Sequence, residues 1–130
     1  MKTAPADIFN KIETWLSDIA ATEIGFYQYP RSVKNTTITV QPSEVGSSKR
    51  EGEIQVLIII TVDSKRATSA IDLIEIVQRV QNIFISAQKI NNNLDGLCKE
   101  VTEIDNAKII APDPNQGTAQ AVLNFKFSFT

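Results

Sequence analysis

The chain has 130 residues, 42% of them hydrophobic and 22% charged, with a formal net charge of −2, a single cysteine and no histidine. This length predicts one domain over residues 1–130, and the near-balanced charge offers no electrostatic footprint for nucleic acid or an anionic membrane. A lone cysteine excludes an intrachain disulfide and favours a reducing cytosol, and the missing histidine removes the commonest general base. Neither a signal peptide nor a bilayer-spanning segment is expected from the apolar pattern.

The first predicted element is an amphipathic helix over about residues 7–21. Thr3 and Pro5 are typical of a helix start, because a hydroxyl can cap free N–H groups and proline is tolerated in the first turn. Apolar side chains then recur at helical spacing and predict one buried face: Ile8, Ile12, Trp15, Leu16 and Ile19. We interpret Trp15 as a core anchor in preference to a ligand-stacking residue. The aromatic segment 26–30 is expected to lead into the sheet.

Two strands joined by a loop are predicted next. Residues 36–40 are β-branched, residues 43–52 are polar and contain two glycines, and residues 53–62 form an almost continuous β-branched run. We therefore expect a ten-residue exposed hairpin loop between two strands. A run as apolar as 53–62 is typical of a central strand that is covered on both faces. In a two-layer domain, the second cover would come from another helix or from a neighbouring subunit.

A second amphipathic helix is predicted over about residues 67–89. Its main apolar stripe comprises Ile71, Ile74, Val77, Val80, Ile83, Phe84 and Ala87. Leu73, Ile76 and Ile85 widen this stripe beyond what one packed surface needs, which is a second indication of a protein partner.

The last part of the chain predicts two further strands. Residues 97–110 are strand-like in one or two pieces, with an interruption at Asp105-Asn106 that fits a bend, a bulge or a tight turn. After a turn at 112–117, residues 119–129 alternate strictly, which places Phe125, Phe127 and Phe129 towards the helices. The predicted fold is α+β, with two helices packed on a mainly antiparallel sheet of about four strands, in the order α-β-β-α-β-β.

The sequence offers little chemistry. Cys98 is interpreted as a buried structural thiol, because it stands beside Leu97 at a strand start. Glu100, Glu103 and Asp105 fit a solvated strand face better than a calcium or magnesium site, since no dense oxygen-ligand loop surrounds them. We therefore expect no catalytic, cofactor-binding or metal-binding residues, and we interpret the chain as non-enzymatic.

Several spread-out features carry a family resemblance. They are the opening helix with Trp15, the Tyr29-Pro30 entry into strand 36–40, the long polar loop from Ser43, the central strand 54–62, the long second helix, and the Asn115-Gln116-Gly117 turn before an aromatic closing strand. In size, order and pattern the chain resembles the tail terminator proteins of long-tailed bacteriophages. The resemblance covers nearly the whole chain.

The resemblance implies a ring-forming structural protein, usually hexameric, at the head-proximal end of the tail in the virion, assembled in the host cytoplasm. Such a ring caps the finished tail tube, stops tube polymerisation and provides the surface on which the head docks. The implied partners are further copies of the chain, the tail tube protein and a head-completion or connector protein. DNA would only pass through the lumen, without specific binding, and no membrane is involved.

Interface residues are predicted in the long loop and in the last turn: Glu44, Lys49, Arg50, Glu51, Asn115 and Gln116. Loops longer than a turn requires often carry function. Lys49 and Arg50 are the only cations of the 43–52 loop, so we expect them to set the charge complementarity of docking. Ordinary solubilising loop charge is the alternative.

Three other functions stay open. One is a different head–tail connector component. Another is a small-molecule-binding module, with a pocket lined by Trp15, Tyr27 and Phe84 between helices and sheet. The third is a hydrolase that uses carboxylates, although no carboxylate pair stands in an apolar setting that would tune its pKa.

Overall fold

A computed structural model describes residues 3–27, 35–47, 51–65, 67–89, 94–113 and 117–130, apart from the side chains of 85–89 and 113. Two helices, α1 (Pro5–Leu16) and α2 (Ser69–Lys89), pack on one sheet. The described strands are β1 (Ala21–Ile24), β2 (Thr37–Ser47), β3 (Gly52–Asp63), β4 (Glu100–Glu103), β5 (Lys108–Asp113) and β6 (Thr118–Phe129). Within these ranges, no helix is long and apolar enough to cross a membrane.

The sheet has the order β1-β2-β3-β6-β4, and β5 also pairs with β6. Only the β1–β2 pair is parallel, and the other pairs are antiparallel. The predicted α+β class and the mainly antiparallel sheet are therefore confirmed. The predicted count of about four strands is too low, because the sheet has six. The two additional strands are a missed first strand and the second piece of a split strand, so the described elements have the order α-β-β-β-α-β-β-β and the predicted order α-β-β-α-β-β is wrong.

The missed strand is β1. The first helix was predicted over 7–21, but α1 ends at Leu16, where the N–H of Ser17 still donates to the carbonyl of Glu13. Ala21–Ile24 then pairs in parallel with β2, from Ala21 opposite Thr37 to Ile24 opposite Val40. This pairing is non-local and four residues long, so a pattern read along the chain gives no sign of it.

The hairpin between β2 and β3 is longer than predicted, and the expected ten-residue loop over 43–52 is wrong. β2 continues to Ser47 and β3 begins at Gly52. The pairing register shifts between Pro42 and Glu44, so a β-bulge accommodates the proline that the sequence suggested as a strand end. Residues 48–50 of the connection lie outside the described residues.

The predicted strand over 97–110 consists of two pieces, β4 and β5, which share the same edge of β6. Glu100 lies opposite Ser128 in β4, whereas Lys108 lies opposite Val122 in β5. Between them, Asp105 adopts a positive φ of 60°, at the interruption that the sequence indicated. The Ile104 N–H donates to the Asn124 carbonyl at 2.8 Å, which keeps the connection on β6.

Both helices lie on one face of the sheet, which we call the helix face. The buried side chains of α1 (Ile8, Ile12, Leu16) and of α2 (Leu73, Val77, Val80, Phe84) belong to one core with the inward residues of β2, β3 and β6. Phe125, Phe127 and Phe129 face the helices and are buried, as predicted. Trp15 lies at the margin of the core, only partly buried, so its predicted role as a core anchor is weaker than expected.

The opposite side of the sheet, which we call the open face, carries no helix among the described residues. β3 is central, between β2 and β6, as its apolar run predicted. On its open face, Ile59 and Thr61 are still buried. The side-chain amide of Gln120 on β6 donates to the Thr61 hydroxyl at 3.2 Å, so neighbouring strands provide part of the cover that a second helix layer would supply.

Candidate interaction surfaces

The predicted interface residues fall in two separate regions. Glu44 on β2 and Glu51 beside β3 are exposed and belong to the same hairpin. Lys49, Arg50, Asn115 and Gln116 lie outside the described residues. Gly52 at one end of β3 lies opposite Phe129, whereas Asp63 at its other end lies opposite Thr118. The strand ends that flank the two predicted segments are thus about 36 Å apart, at ~3.3 Å per strand residue.

Glu51 already has a partner within the chain. The Lys99 ammonium lies 2.7 Å from a Glu51 carboxylate oxygen, and both side chains are about half exposed. The hydrogen bond and the charge of Lys99 lower the pKa of Glu51 below its ordinary value. The backbone N–H of Lys99 also donates to the Ser128 carbonyl at 2.7 Å. Glu51 therefore ties the hairpin to the segment that leads into β4.

A larger apolar feature lies on β5. Ile109 is 55% exposed and Ile110 is 46% exposed. Ile109 lies opposite the buried Ala121 and so belongs to the helix face, whereas Ile110 lies opposite Gln120 on the open face. Consecutive apolar residues on both faces of a strand are typical of a strand that is covered on both sides. Here that strand forms the edge of the sheet, so the pattern indicates a partner surface.

Helix α2 carries two exposed isoleucines, and one of them, Ile74, lies on the same side of the molecule. Ile71 and Ile74 were expected in its packed stripe, but they are 63% and 51% exposed, and Leu73 is buried instead. The side-chain amide of Gln81 donates to Glu103 on β4, which shows which side of α2 faces the β4–β5 edge. Ile74 precedes Gln81 by two helical turns and so lies on that same side.

By helix and strand spacing, Ile74 lies near the level of Ile109 along the sheet. Ile74 is about 10 Å from Gln81 along the helix, which corresponds to about three strand residues. Glu103 lies opposite Phe125 of β6. Three residues nearer the start of β6 is Val122, the neighbour of Ala121. Ala121 lies opposite Ile109, so Ile74 and Ile109 are at a similar level. We call Ile74, Ile109 and Ile110 the isoleucine edge. In the sequence, the excess width of the apolar stripe of α2 indicates this surface, but it does not show which residues of the stripe are exposed.

The other edge of the sheet also exposes apolar side chains. Ile24 on β1 is 39% exposed, and the neighbouring Phe26 is 70% exposed. Gly25 donates its N–H to the Val40 carbonyl, and the Tyr27 N–H donates to the side-chain oxygen of Gln41. These bonds hold Phe26 beside β2 in an exposed position. We call Glu23, Ile24 and Phe26 the β1 edge.

Phe84 and Cys98, two residues that the sequence offered for ligand binding or chemistry, are buried parts of the core. Phe84 is buried, with its ring centroid 4.6 Å from that of Phe125 and 5.7 Å from that of Phe127, so it is part of the core. Burial raises the pKa of the Cys98 thiol to about 12, which leaves it protonated and unreactive at neutral pH. Among the described residues, no group of three or more histidine, cysteine, aspartate or glutamate side chains is placed to hold a metal ion.

A shallow pocket of about 200 Å³ lies on the open face, below the β4–β5 connection. Leu57, Val122, Asn124 and Lys108 contribute to its lining, together with residues of the connection. The Asn124 side-chain oxygen is buried there, with no hydrogen-bond partner among the described residues. Its lining combines the apolar Leu57, Ile104 and Val122 with one cation, Lys108, one carboxylate, Asp105, and the amides of Asn106 and Asn124.

Comparison with known proteins gives no assignment. No protein-family model matches the chain, and no curated protein sequence is significantly similar to it. The functional proposal therefore depends on the order of elements and on the two exposed edges.

Proposed function

We propose that the protein is a non-enzymatic structural subunit that forms a ring, caps the tail tube of a long-tailed bacteriophage, stops tube polymerisation and provides the head-docking surface. The observation that carries this proposal is the pair of exposed apolar edges on one sheet, the isoleucine edge and the β1 edge. Exposed isoleucine and phenylalanine side chains in such numbers are typical of a subunit that functions in an assembly. The order of helices and strand pairs supports the same family.

The two edges suit a ring because they lie at opposite ends of the strand order. A subunit with two different contact surfaces assembles head to tail, and such assembly closes into a ring when the rotation between subunits permits. The ring would stand in the virion at the head-proximal end of the tail, after assembly in the host cytoplasm. DNA would pass through its lumen without specific binding.

The β2–β3 hairpin is the proposed contact with the tail tube or with the adjacent subunit. It extends both strands, to Ser47 and from Gly52, and Val45 on it is 78% exposed. Glu44 on the same strand is also exposed, so the hairpin offers an apolar side chain beside a charged one. Lys49 and Arg50, in the connection between the strands, would supply the positive charge for docking.

Deletion of the gene tests the function directly. In phage lacking this protein, we expect tails of uncontrolled length that do not join heads, as seen by electron microscopy, and complementation with the wild-type gene should restore both. Normal tail lengths and normal infectious particles would overturn the proposal. Tails of normal length that fail to join heads would favour a different head–tail connector component.

A further inference from the structure

We propose that the isoleucine edge of one copy binds the β1 edge of the next copy, so that β5 and β1 are neighbours across the subunit contact. This inference deepens the proposed function and rests on it, since it assigns the two surfaces that would build the ring. The occupant of each exposed edge is thus a second copy of this chain.

The apolar groups match on the helix face. Ile24 lies opposite Val40, which is a buried residue of the helix face, and Ile109 lies opposite Ala121, also on that face. If the sheet continues from one copy into the next, Ile109 meets Ile24 of the neighbour on a shared helix face, and Phe26 follows at the end of the same edge. Ile74, level with Ile109, would cover the same contact from α2. Each copy thereby removes exposed apolar surface at both ends of its sheet.

The charges match on the open face. Lys108 lies opposite Val122, and Glu23 lies opposite the buried Thr39, so both belong to the face without helices. Lys108 is the exposed cation of the β5 edge, and Glu23 is the exposed acid of the β1 edge. A continued sheet brings these opposite charges to the same side of the contact, where cross-strand pairs of opposite charge are favourable.

The strand directions and lengths also agree. β1 runs parallel to β2, while β5 runs antiparallel to β6, so continuation of the sheet sets β5 antiparallel to β1 of the next copy. The pairing register of β5 shifts between Ile110 and Asp113, next to Pro112. The second half of this edge is therefore less able to pair with another strand. The regular part of β5 is therefore short, and the four-residue β1 is of a similar length.

A head-to-tail contact accounts for both edges, whereas a two-fold contact does not. Two isoleucine edges related by a two-fold axis would cover each other but would leave Phe26 exposed on both copies. Pairing the isoleucine edge with the β1 edge sets Ile109 against Ile24 and places Lys108 on the same face as an acid.

Cysteine cross-linking distinguishes these arrangements. The variants are Phe26→Cys, Ile109→Cys and the double variant, treated with a short bis-maleimide in solution at rising protein concentration and on isolated tail tubes. Wild-type protein is the control, because its only thiol, Cys98, is buried. We expect no cross-link in either single variant alone, a covalent dimer when the two are mixed, and a ladder of oligomers in the double variant. Circular dichroism should show that all variants are folded.

A dimer from Ile109→Cys alone would overturn the proposal in favour of a two-fold contact. Absence of cross-links from the mixture and from the double variant, in solution and on tubes, would overturn it outright. As an independent measure, Lys108→Glu should weaken self-association at least tenfold, and the exchanged pair Lys108→Glu with Glu23→Lys should restore it.

Failure of the inference is separable from failure of the proposed function. Cross-linked ladders from a protein whose gene deletion leaves tails normal would remove the phage function and keep the contact. Overlong tails in the deletion, without cross-links between the two edges, would keep the function and remove the contact.

Discussion

Gly52 at the start of β3 lies opposite Phe129 near the end of β6, and the phenylalanine ring covers the glycine. A Cβ atom on Gly52 would stand 2.5 Å from the Phe129 Cζ atom and 2.6 Å from its Cε2 atom. Such separations are far inside van der Waals contact, so the ring would have to move. The loop end of the hairpin therefore favours glycine at this position.

The first prediction is that Gly52→Ala destabilises the protein by about 1–3 kcal/mol, the usual cost of overpacking. Urea unfolding followed by circular dichroism measures the free energy of unfolding. Gly46→Ala is the matched control on the neighbouring strand, since a Cβ there meets only the Glu53 Cβ at 4.0 Å. An equal loss of stability in the two variants would show that replacing any strand glycine lowers stability, and that the contact with Phe129 is not the cause.

The second prediction concerns the aromatic part of the core. Phe127 is fully buried, and its ring contacts Phe84 across the helix–sheet interface. Phe127→Ala should lower the free energy of unfolding by about 3–5 kcal/mol, because it removes a buried ring and leaves a cavity. Phe26→Ala, at an exposed phenylalanine, should change the stability of the monomer little. A loss below about 1 kcal/mol for Phe127→Ala would contradict its place in the core.

Some elements of the fold can be predicted from the sequence and others cannot. The strict alternation of β6 and the apolar run of β3 predicted a deeply paired strand and a central strand, because burial on one or both faces is a local pattern. The interruption of the strand at Asp105 was also predicted from the sequence. β1 was not visible, since a four-residue strand depends on pairing with β2 and not on its own composition. The extension of β2 to Ser47 was missed for the same reason, because a bulge accommodates Pro42.

The candidate surfaces were predicted less well than the fold. The excess apolar width of α2 indicated a partner, but helical periodicity does not fix which side of a broad stripe faces the sheet. Leu73 is buried and Ile74 is exposed, whereas the sequence pattern places Ile74 in the main apolar stripe and Leu73 only at its margin. The sequence predicts Ile109 and Ile110 as ordinary strand residues, and it is the position of β5 at the sheet edge that exposes them.

The third prediction is that the Cys98 thiol does not react in the folded protein. Burial raises its pKa to about 12, so the reactive thiolate is scarce at pH 8. A chromogenic disulfide reagent should label it only after urea is added, whereas the exposed thiol of an Ile109→Cys variant should react at once. The unfolded chain releases this proton near pH 9.0, so stability should fall as pH rises above that value. Rapid labelling of native wild-type protein would contradict the burial.

The fourth prediction concerns the ion pair between Glu51 and Lys99. Because the folded-state pKa of Glu51 is lowered, the pair stabilises the fold above the ordinary pKa of a glutamate. This stabilisation is lost as the pH falls through the lowered pKa. Lys99→Gln should therefore raise the pKa of Glu51, measured from its side-chain carboxyl chemical shift by NMR. Lys11→Gln, which removes the distant ion pair with Asp95, is the control. An unchanged Glu51 titration in Lys99→Gln would mean that the pair does not form in solution.

The fifth prediction tests the hairpin as a docking element. Lys49 and Arg50 are the only cations between Ser43 and Gly52, and the strands on either side are held by ladder hydrogen bonds that do not depend on them. Replacing both with glutamate should leave the folded monomer intact, because the sequence predicts an exposed loop here and changes of exposed charge usually alter stability by about 0.5 kcal/mol or less. If these cations match an acidic surface on the tube, the same change should produce overlong tails or tails without heads. Replacement of both with glutamine should give a weaker defect, since it removes attraction without adding repulsion. Electron microscopy of tail lengths and plaque counts measure the effect, and normal values for the glutamate variant would exclude the hairpin cations from docking.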